Sequence, residues 1–389
     1  MIVLSPHSSR SVPYWRLSVF YFAYFAQVGA AAPYLSLYLV SLGFAAAQIG
    51  VLLSLGQLMR VAGPNFWGWI ADQRRERARI IALTLALGGA CFAGLIFVDS
   101  FWGIFALLLA VGFFTSASMP LTESLTLSHL RDATGDYASI RLWGSVGFVA
   151  AVTLVGYALD ALPVANLLWM VLVTYAASWL CALYVPDAPS GAGRSDAEPV
   201  WTIVRRPEVA ALLAACFLMT LAHGPLYTFF SIFLVEHDYS KAAVGWMWSV
   251  GVIAEIVAFL LMPAWLRRYS LSGILLACFA ATVVRFLMIG WGVDSALILF
   301  AAQLLHGLSF GAYHVAAVTA IHRWFEGAHQ VRGQAIYLSV SFGVGGVLGS
   351  MLSGIGWDRI GPAWTFSAAA LAALAGYVLV LWKVRPARI

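Results

Sequence analysis

Charge is scarce in this sequence. Asp, Glu, Lys and Arg make up 10% of its 389 residues, against about 25% in an ordinary soluble domain. With 62% of the residues hydrophobic and a mean hydropathy of +0.88, the chain has too few polar side chains to cover its own surface. Water is thereby excluded as its only solvent. Cysteine is scarce as well. Cys91, Cys181, Cys216 and Cys278 each stand alone inside an apolar run, and no pair has ligand spacing, which argues against a zinc module and a disulfide framework. Nucleophile motifs, phosphate-binding glycine loops and metal-ligand clusters are missing too, so no enzyme activity, cofactor or metal is expected. The net charge of +5 does not point to nucleic acid, because the basic residues are dispersed among short loops instead of forming one patch.

What the chain has in abundance is long apolar stretches. They fall at about 14–40, 46–70, 78–98, 101–129, 138–159, 163–185, 208–235, 242–265, 271–292, 296–321, 333–357 and 363–382, and a spanning helix needs ~20 residues. An all-α membrane protein of about twelve transmembrane helices follows; the ~10-residue alternating segments of a barrel do not occur. The first stretch is too long for a signal-peptide core and is expected to be retained. Basic residues set the orientation. With the N-terminus inside, Arg10, Arg16, Arg74, Arg75, Arg77, Arg79, Arg131, Arg194, Arg205, Arg206, Arg267, Arg268, Arg323, Arg332, Lys383, Arg385 and Arg388 all fall in inside loops, and Lys241 and Arg359 outside. Both termini are therefore expected in the cytoplasm.

The longest polar stretch, VPDAPSGAGRSDAEPVW at 185–201, reads as a flexible linker. It divides the chain into an N-terminal six-helix half (1–185), a linker (186–207) and a C-terminal half (208–389). The halves look alike. IGVLLSLGQLMR at 49–60 aligns with VGWMWSVGVIAE at 244–255, pairing Gly50 with Gly245, Ser54 with Ser249 and Gly56 with Gly251. IRLWGSVGF at 140–148 aligns with IYLSVSFGV at 336–344. Internal repeats of this kind are the usual design of secondary transporters. Glycines and serines at 345–354 in the eleventh stretch permit close helix approach.

Five charges lie well inside the apolar stretches: Glu123, Glu255, Arg60, Arg141 and Arg285. Each costs at least about 2.5 kcal/mol near the bilayer centre, so they should pair, face a polar interior or meet a ligand. Glu123 and Arg141 flank the loop near Asp132 at equal separations. A helical hairpin puts both about 13 Å from its tip at 1.5 Å per residue. They could meet as an ion pair, either locking two helices or serving a site. Other polar residues share faces at helical spacing: Tyr24, Gln27, Tyr34 and Tyr38; His223 and Tyr227; His306 and His314 with Phe310 between them. Each histidine has a plain alternative as a satisfied structural hydrogen bond.

Twelve helices, a six-plus-six repeat and a central linker resemble the major facilitator superfamily. Its loop signature after the second helix, Gly-x-x-x-Asp followed by basic residues, is matched in part by Gly68, Asp72, Arg74, Arg75 and Arg77 in GWIADQRRERAR; the usual second glycine is missing. Within the superfamily the chain is similar to the phenylpropionic acid transporter group, related to lactose permease, through RLWGSVGF at 141–148, VGWMWSVGVIAE at 244–255 and LLHGLSFGAYH at 304–314. The resemblance implies substrate-binding roles for Glu123, Arg141 and the aromatic Phe148, and coupling roles for Glu255, Arg285 and His306. It departs at Ser309, where a coupling carboxylate is expected, and on the seventh helix, where His223 and Tyr227 replace acidic residues.

The function expected from the residues and the resemblance together is proton-coupled uptake of a small, aromatic organic acid across a bacterial inner membrane by a monomer. Three intramembrane Arg against two Glu leave one guanidinium for a substrate carboxylate. The expected substrate site is Glu123, Arg141, Phe148, Arg60, Gln27, Tyr34, His223 and Tyr227. Proton coupling is expected at Glu255, Arg285, His306 and His314, with Glu255 ranked ahead of His306 and Glu123 as carrier. Gly68, Asp72, Arg74 and Arg75 form the conformational motif. A sugar or nucleoside proton symporter is the alternative. A multidrug antiporter ranks lower, because the fifth stretch, RLWGSVGFVAAVTLVGYALD, contains no proline.

Overall fold

The computed structural model describes residues 12–74, 76–130, 134–188, 200–325 and 329–384, without the side chains at 72, 134–136 and 331. Every regular element among them is helical, as lipid requires, since a helix satisfies its backbone hydrogen bonds internally. In the first half α1 runs Tyr14–Ala31 and continues as Leu35–Ser41, α2 is Ala46–Arg74 and α3 is Arg77–Ala93. Next come α4 (Phe101–Thr115 and Ser118–Leu130), α5 (Thr134–Ala161) and α6 (Leu167–Leu183). The second half has α7 (Pro207–Ala222 and Gly224–Glu236), α8 (Lys241–Arg268) and α9 (Leu271–Trp291). It ends with α10 (Ala296–Leu304 and Tyr313–Trp324), α11 (Gln330–Leu338 and Gly346–Ile360) and α12 (Pro362–Leu379). Eleven of these, α2 to α12, are long and apolar enough to cross a membrane. The broken α1 supplies the twelfth. Leu154, Val173, Leu260 and Leu297 are 69 to 76% exposed, as befits side chains solvated by lipid.

Four helices at equivalent places in the two halves are interrupted, and prolines account for three of the breaks. Pro33, Pro120 and Pro225 have no N–H to offer the carbonyls of Gly29, Ser116 and Leu221, and the helices break at 32–34, 116–117 and 223. In α10 the break is a π-helical turn, Gly307–Ala312; a second such turn, Ser339–Gly345, interrupts α11. Interrupted helices free polar groups where they line a cavity.

The packing repeats as the chain does. In the first half α1 packs on α5 and α6, α3 on α4 and α6, and α2 on α4. In the second, α7 packs on α11 and α12, α9 on α10 and α12, and α8 on α10. The halves meet along two seams, α2 with α11 and α5 with α8. Gly50 lies against the backbone of Ser350 and Gly354, and Gly245 against Val152 and Thr153. The aligned glycines thus serve equivalent seams, since a Cβ at either would strike backbone.

Candidate functional site

Arg285 on α9 is the anchor of the second half. It is 1% exposed, and four groups accept from it. Nε donates to Ala302 O at 3.0 Å and Nη2 to Gln303 Oε1 at 3.0 Å, while Nη1 donates to His306 Nδ1 at 2.7 Å and Ser309 Oγ at 3.1 Å. All four acceptors are uncharged. The π-turn in α10 brings His306 and Ser309 to one guanidinium. A guanidinium only donates, so His306 Nδ1 accepts and the ring proton sits on Nε2. That nitrogen faces Glu255 Oε1 at 2.5 Å. The arrangement fixes a line, guanidinium to imidazole to carboxylate, with Glu255 on α8 as its acceptor end and the least enclosed member, its side chain 17% exposed.

The first half is built differently. Glu123 and Arg141 are each half-buried. Among the described residues no ion pair within 4.0 Å joins them. Glu123 interacts electrostatically with Arg141 across this gap, and Tyr137 is its other polar neighbour. The guanidinium of Arg141 lies over the Phe25 ring, 4.2 Å from its centre, with Tyr21 at 5.9 Å. The expected pair at one depth is therefore a pair of neighbours and not a closed ion pair. Depth follows from residue count, but the rotation of each helix decides which side chains touch. Arg141 also interacts electrostatically, without contact among the described residues, with Glu255 and His314 of the other half. Arg60 on α2 is exposed and interacts electrostatically with Tyr24 and Tyr227, one from each half. Arg60 and Arg141 thus interact electrostatically with groups of the second half.

Aromatic rings pack around His306 in the second half. His223, at the α7 break, donates from Nδ1 to Met219 O at 2.8 Å and stacks on Tyr227, 5.9 Å between centres. Tyr227 stacks on Trp248 at 6.0 Å. Phe310 lies parallel to His306 on one side and His314 on the other, at 5.4 and 6.4 Å. His314 Nδ1 contacts the Tyr337 hydroxyl at 3.2 Å. His223 Nε2 and Gln27 Oε1 are buried with no hydrogen-bond partner among the described residues.

Other expected residues lie elsewhere. Gln27 turns towards Tyr175 on α6. Phe148 is half-buried against the core and faces Gly29 through its backbone. Tyr34 is fully buried, its hydroxyl donating to Val152 O at 2.7 Å and Lys241 O at 3.1 Å. It bridges the α5–α8 seam and has no hydrogen left for a ligand. In the loop signature Gly68 has open space around it and Arg74 is exposed; Arg75 and the Asp72 side chain fall outside the described residues, as does 189–199 of the linker. Sequence reasoning missed Tyr137, Phe25, Gln303 and Trp248. Tyr137 stands four residues before Arg141, and Gln303 three before His306, so same-face spacing was a signal for both.

Comparison with known proteins agrees with this architecture. The chain is 30% identical over 374 residues to the "Probable 3-phenylpropionic acid transporter" of Escherichia coli K12, covering 92% of this chain and 95% of that one. It is 26% identical over 357 residues to the maltose permease of Geobacillus stearothermophilus, 90% and 89% covered. The crystal structure of the nucleoside transporter NupG superposes with a TM-score of 0.82 at 19% identity, covering 97% of this chain and 99% of that one. The model of the MFS_1 like family matches residues 14–368. A twelve-helix repeat with a buried polar line in its second half, and a family match over nearly the whole chain, lead to one conclusion: the protein belongs to the MFS_1 like family of the major facilitator superfamily, as a multi-pass secondary active transporter of the bacterial inner membrane.

Proposed function

We propose that this transporter takes up a small organic acid, an aromatic carboxylate of the phenylpropionate type, by proton-coupled symport with both chain termini in the cytoplasm. One observation carries the anion: the central cations outnumber their carboxylate partners. Arg141 lies over Phe25 and Arg60 is exposed, and among the described residues neither has a carboxylate within 4.0 Å. A guanidinium presents a planar fork that fits a carboxylate bidentately. The cluster of His223, Tyr227, Trp248 and Phe310 in the second half suits an aromatic body. The relative of highest identity named above is a phenylpropionic acid transporter by name.

The proton belongs on Glu255. While Arg285 holds His306 Nδ1, both ring nitrogens of His306 are engaged and it has no site for another proton. Glu255 can take one, and doing so removes the anion at the end of the Arg285–His306 line. Loading thus changes the electrostatic interaction of Glu255 with Arg141, which couples protonation to occupancy by differential interaction with the two states. His314, Glu123 and the residues of the loop signature keep supporting roles in binding and in the change of state.

Sugar or nucleoside symport is the second reading, and it has the broader support among the relatives, through the maltose permease in sequence. The half-buried carboxylate of Glu123 suits hydroxyl donors. Uptake into proteoliposomes under an imposed pH gradient separates the two readings. 3-Phenylpropionate, a nucleoside and a disaccharide are offered as competing solutes. Accumulation of the acid alone supports the first reading; accumulation of the neutral solutes alone overturns it in favour of the second.

A further inference from the structure

Two carboxylates on the face opposite the chain termini make the same contact twice. Asp160, near the end of α5, accepts from the first backbone N–H groups of α8: Oδ1 from Lys241 at 2.7 Å and Oδ2 from Ala242 at 3.0 Å. Asp358, near the end of α11, accepts from the first N–H groups of α2: Oδ1 from Ala46 at 3.3 Å and Oδ2 from Ala47 at 2.9 Å. The helices α5 and α11 are equivalent in the repeat, and so are α2 and α8. The contact therefore runs from first half to second in one seam and from second to first in the other.

Each carboxylate stands four residues after a glycine, Gly156 and Gly354. A Cβ on Gly156 would meet Lys241 O and Ala242 Cα, and one on Gly354 would meet Ala46 O and Ala47 Cα. The repeated unit is thus Gly-x-x-x-Asp: the glycine lets the backbones close up, and the carboxylate binds the helix start it has reached. The first N–H groups of a helix have no partner within it. They carry the positive end of its dipole, and their bonds to a carboxylate are charge-assisted. Local caps do not compete for them. Ser240 Oγ accepts from Ala243 N, and Gln48 Oε1 from Ala45 N, one residue to either side of the N–H groups that the aspartates take.

We propose that Asp160 and Asp358 are paired latches that hold the two halves together on this face, and that both must release for the face to open. A helix cap supplied from the opposite half cannot survive separation of the halves. The latches are unequal in their surroundings. The α5–α8 seam is also tied by the Tyr34 hydroxyl, by Thr153 to Ser249 at 3.1 Å, and by Trp246 Nε1 donating to the Tyr157 hydroxyl at 3.1 Å. Between α2 and α11, Asp358 makes the side-chain hydrogen bonds found among the described residues. Loss of Asp358 therefore weakens its seam more than loss of Asp160 weakens the other.

The test needs no substrate, so it stands apart from the choice between acid and sugar. Spin labels go at Leu162 and Trp364, exposed positions on this face in opposite halves, in full-length protein in lipid nanodiscs. Cys91 and Cys181, the two cysteines that are not fully buried, are replaced by Ser. Asp358→Ala is expected to raise the ratio of long to short distances about tenfold, equivalent to about 1.4 kcal/mol. Asp160→Ala should raise it less, and the double variant more than either. Should the alanine variants fail to fold, Asp358→Asn and Asp160→Asn carry the same test, because an amide keeps one acceptor but loses the charge. A folded double variant with an unchanged distance distribution overturns the proposal. So does a fall in melting temperature with no change in distances, which is what a plain cap would give.

Discussion

Glu255→Gln tests the coupling mechanism most directly. The substitution changes little in shape, and the new amide oxygen can still accept from His306 Nε2, now 2.5 Å from Glu255 Oε1. The Arg285–His306 line stays assembled, and replacing a charge-assisted bond by a neutral one costs about 1 kcal/mol of stability. What disappears is the protonatable anion. A pH difference of about one unit is worth about 1.4 kcal/mol per proton. A one-proton symporter converts this into a tenfold concentration ratio, with uptake rising as the outside is acidified. The variant should therefore equilibrate solute across the membrane and sustain exchange, while its accumulation ratio falls from about ten to one at that gradient. Proteoliposomes with an imposed pH gradient measure both quantities in one preparation. If Glu255→Gln still concentrates solute about tenfold, the proton does not reside on Glu255 and the tautomer argument at His306 fails with it.

Three further outcomes are expected. Arg141→Lys keeps the charge but loses the planar fork and its stacking on Phe25, so the half-saturating concentration should rise about tenfold, for about 1.4 kcal/mol; an unchanged value in uptake titrations would remove Arg141 from the binding site. Symport of a monoanion with one proton moves no net charge, so a potassium diffusion potential should leave its accumulation unchanged. A neutral solute with one proton would instead gain about tenfold for each ~60 mV, since a charge crossing 100 mV is worth about 2.3 kcal/mol. Gly29→Val should separate α1 from α5, because a Cβ there would lie 2.6 Å from Phe148 O. Overpacking of this kind costs about 1–3 kcal/mol, read as a lower melting temperature in detergent; a parental melting temperature would contradict the close approach.

Much of the candidate site was legible before any geometry. Glu255, Arg285 and His306 stood out as polar groups in apolar stretches, and they form one hydrogen-bonded line. Glu123 and Arg141 were legible as charges at one depth but not as a closed ion pair, since the Arg141 guanidinium lies over the Phe25 ring. Tyr34 shares a helix face with Gln27, yet the two point into different environments because α1 breaks after Ala31. The Pro33, Pro120 and Pro225 breaks had a sequence signal in the prolines themselves; the π-turn at Gly307–Ala312 had none comparably direct.

The sequence by itself determined the solvent, the number of spans and the twofold repeat. These depend on the apolar content of stretches about 20 residues long and on the cost of exposing backbone to lipid, quantities a linear chain already carries. Only the tertiary structure decided which polar groups meet. Contact between helices far apart in the chain depends on rotation, local breaks and seam packing. That is why Asp160 and Asp358, ordinary loop-end aspartates in the sequence, cap helices of the opposite half.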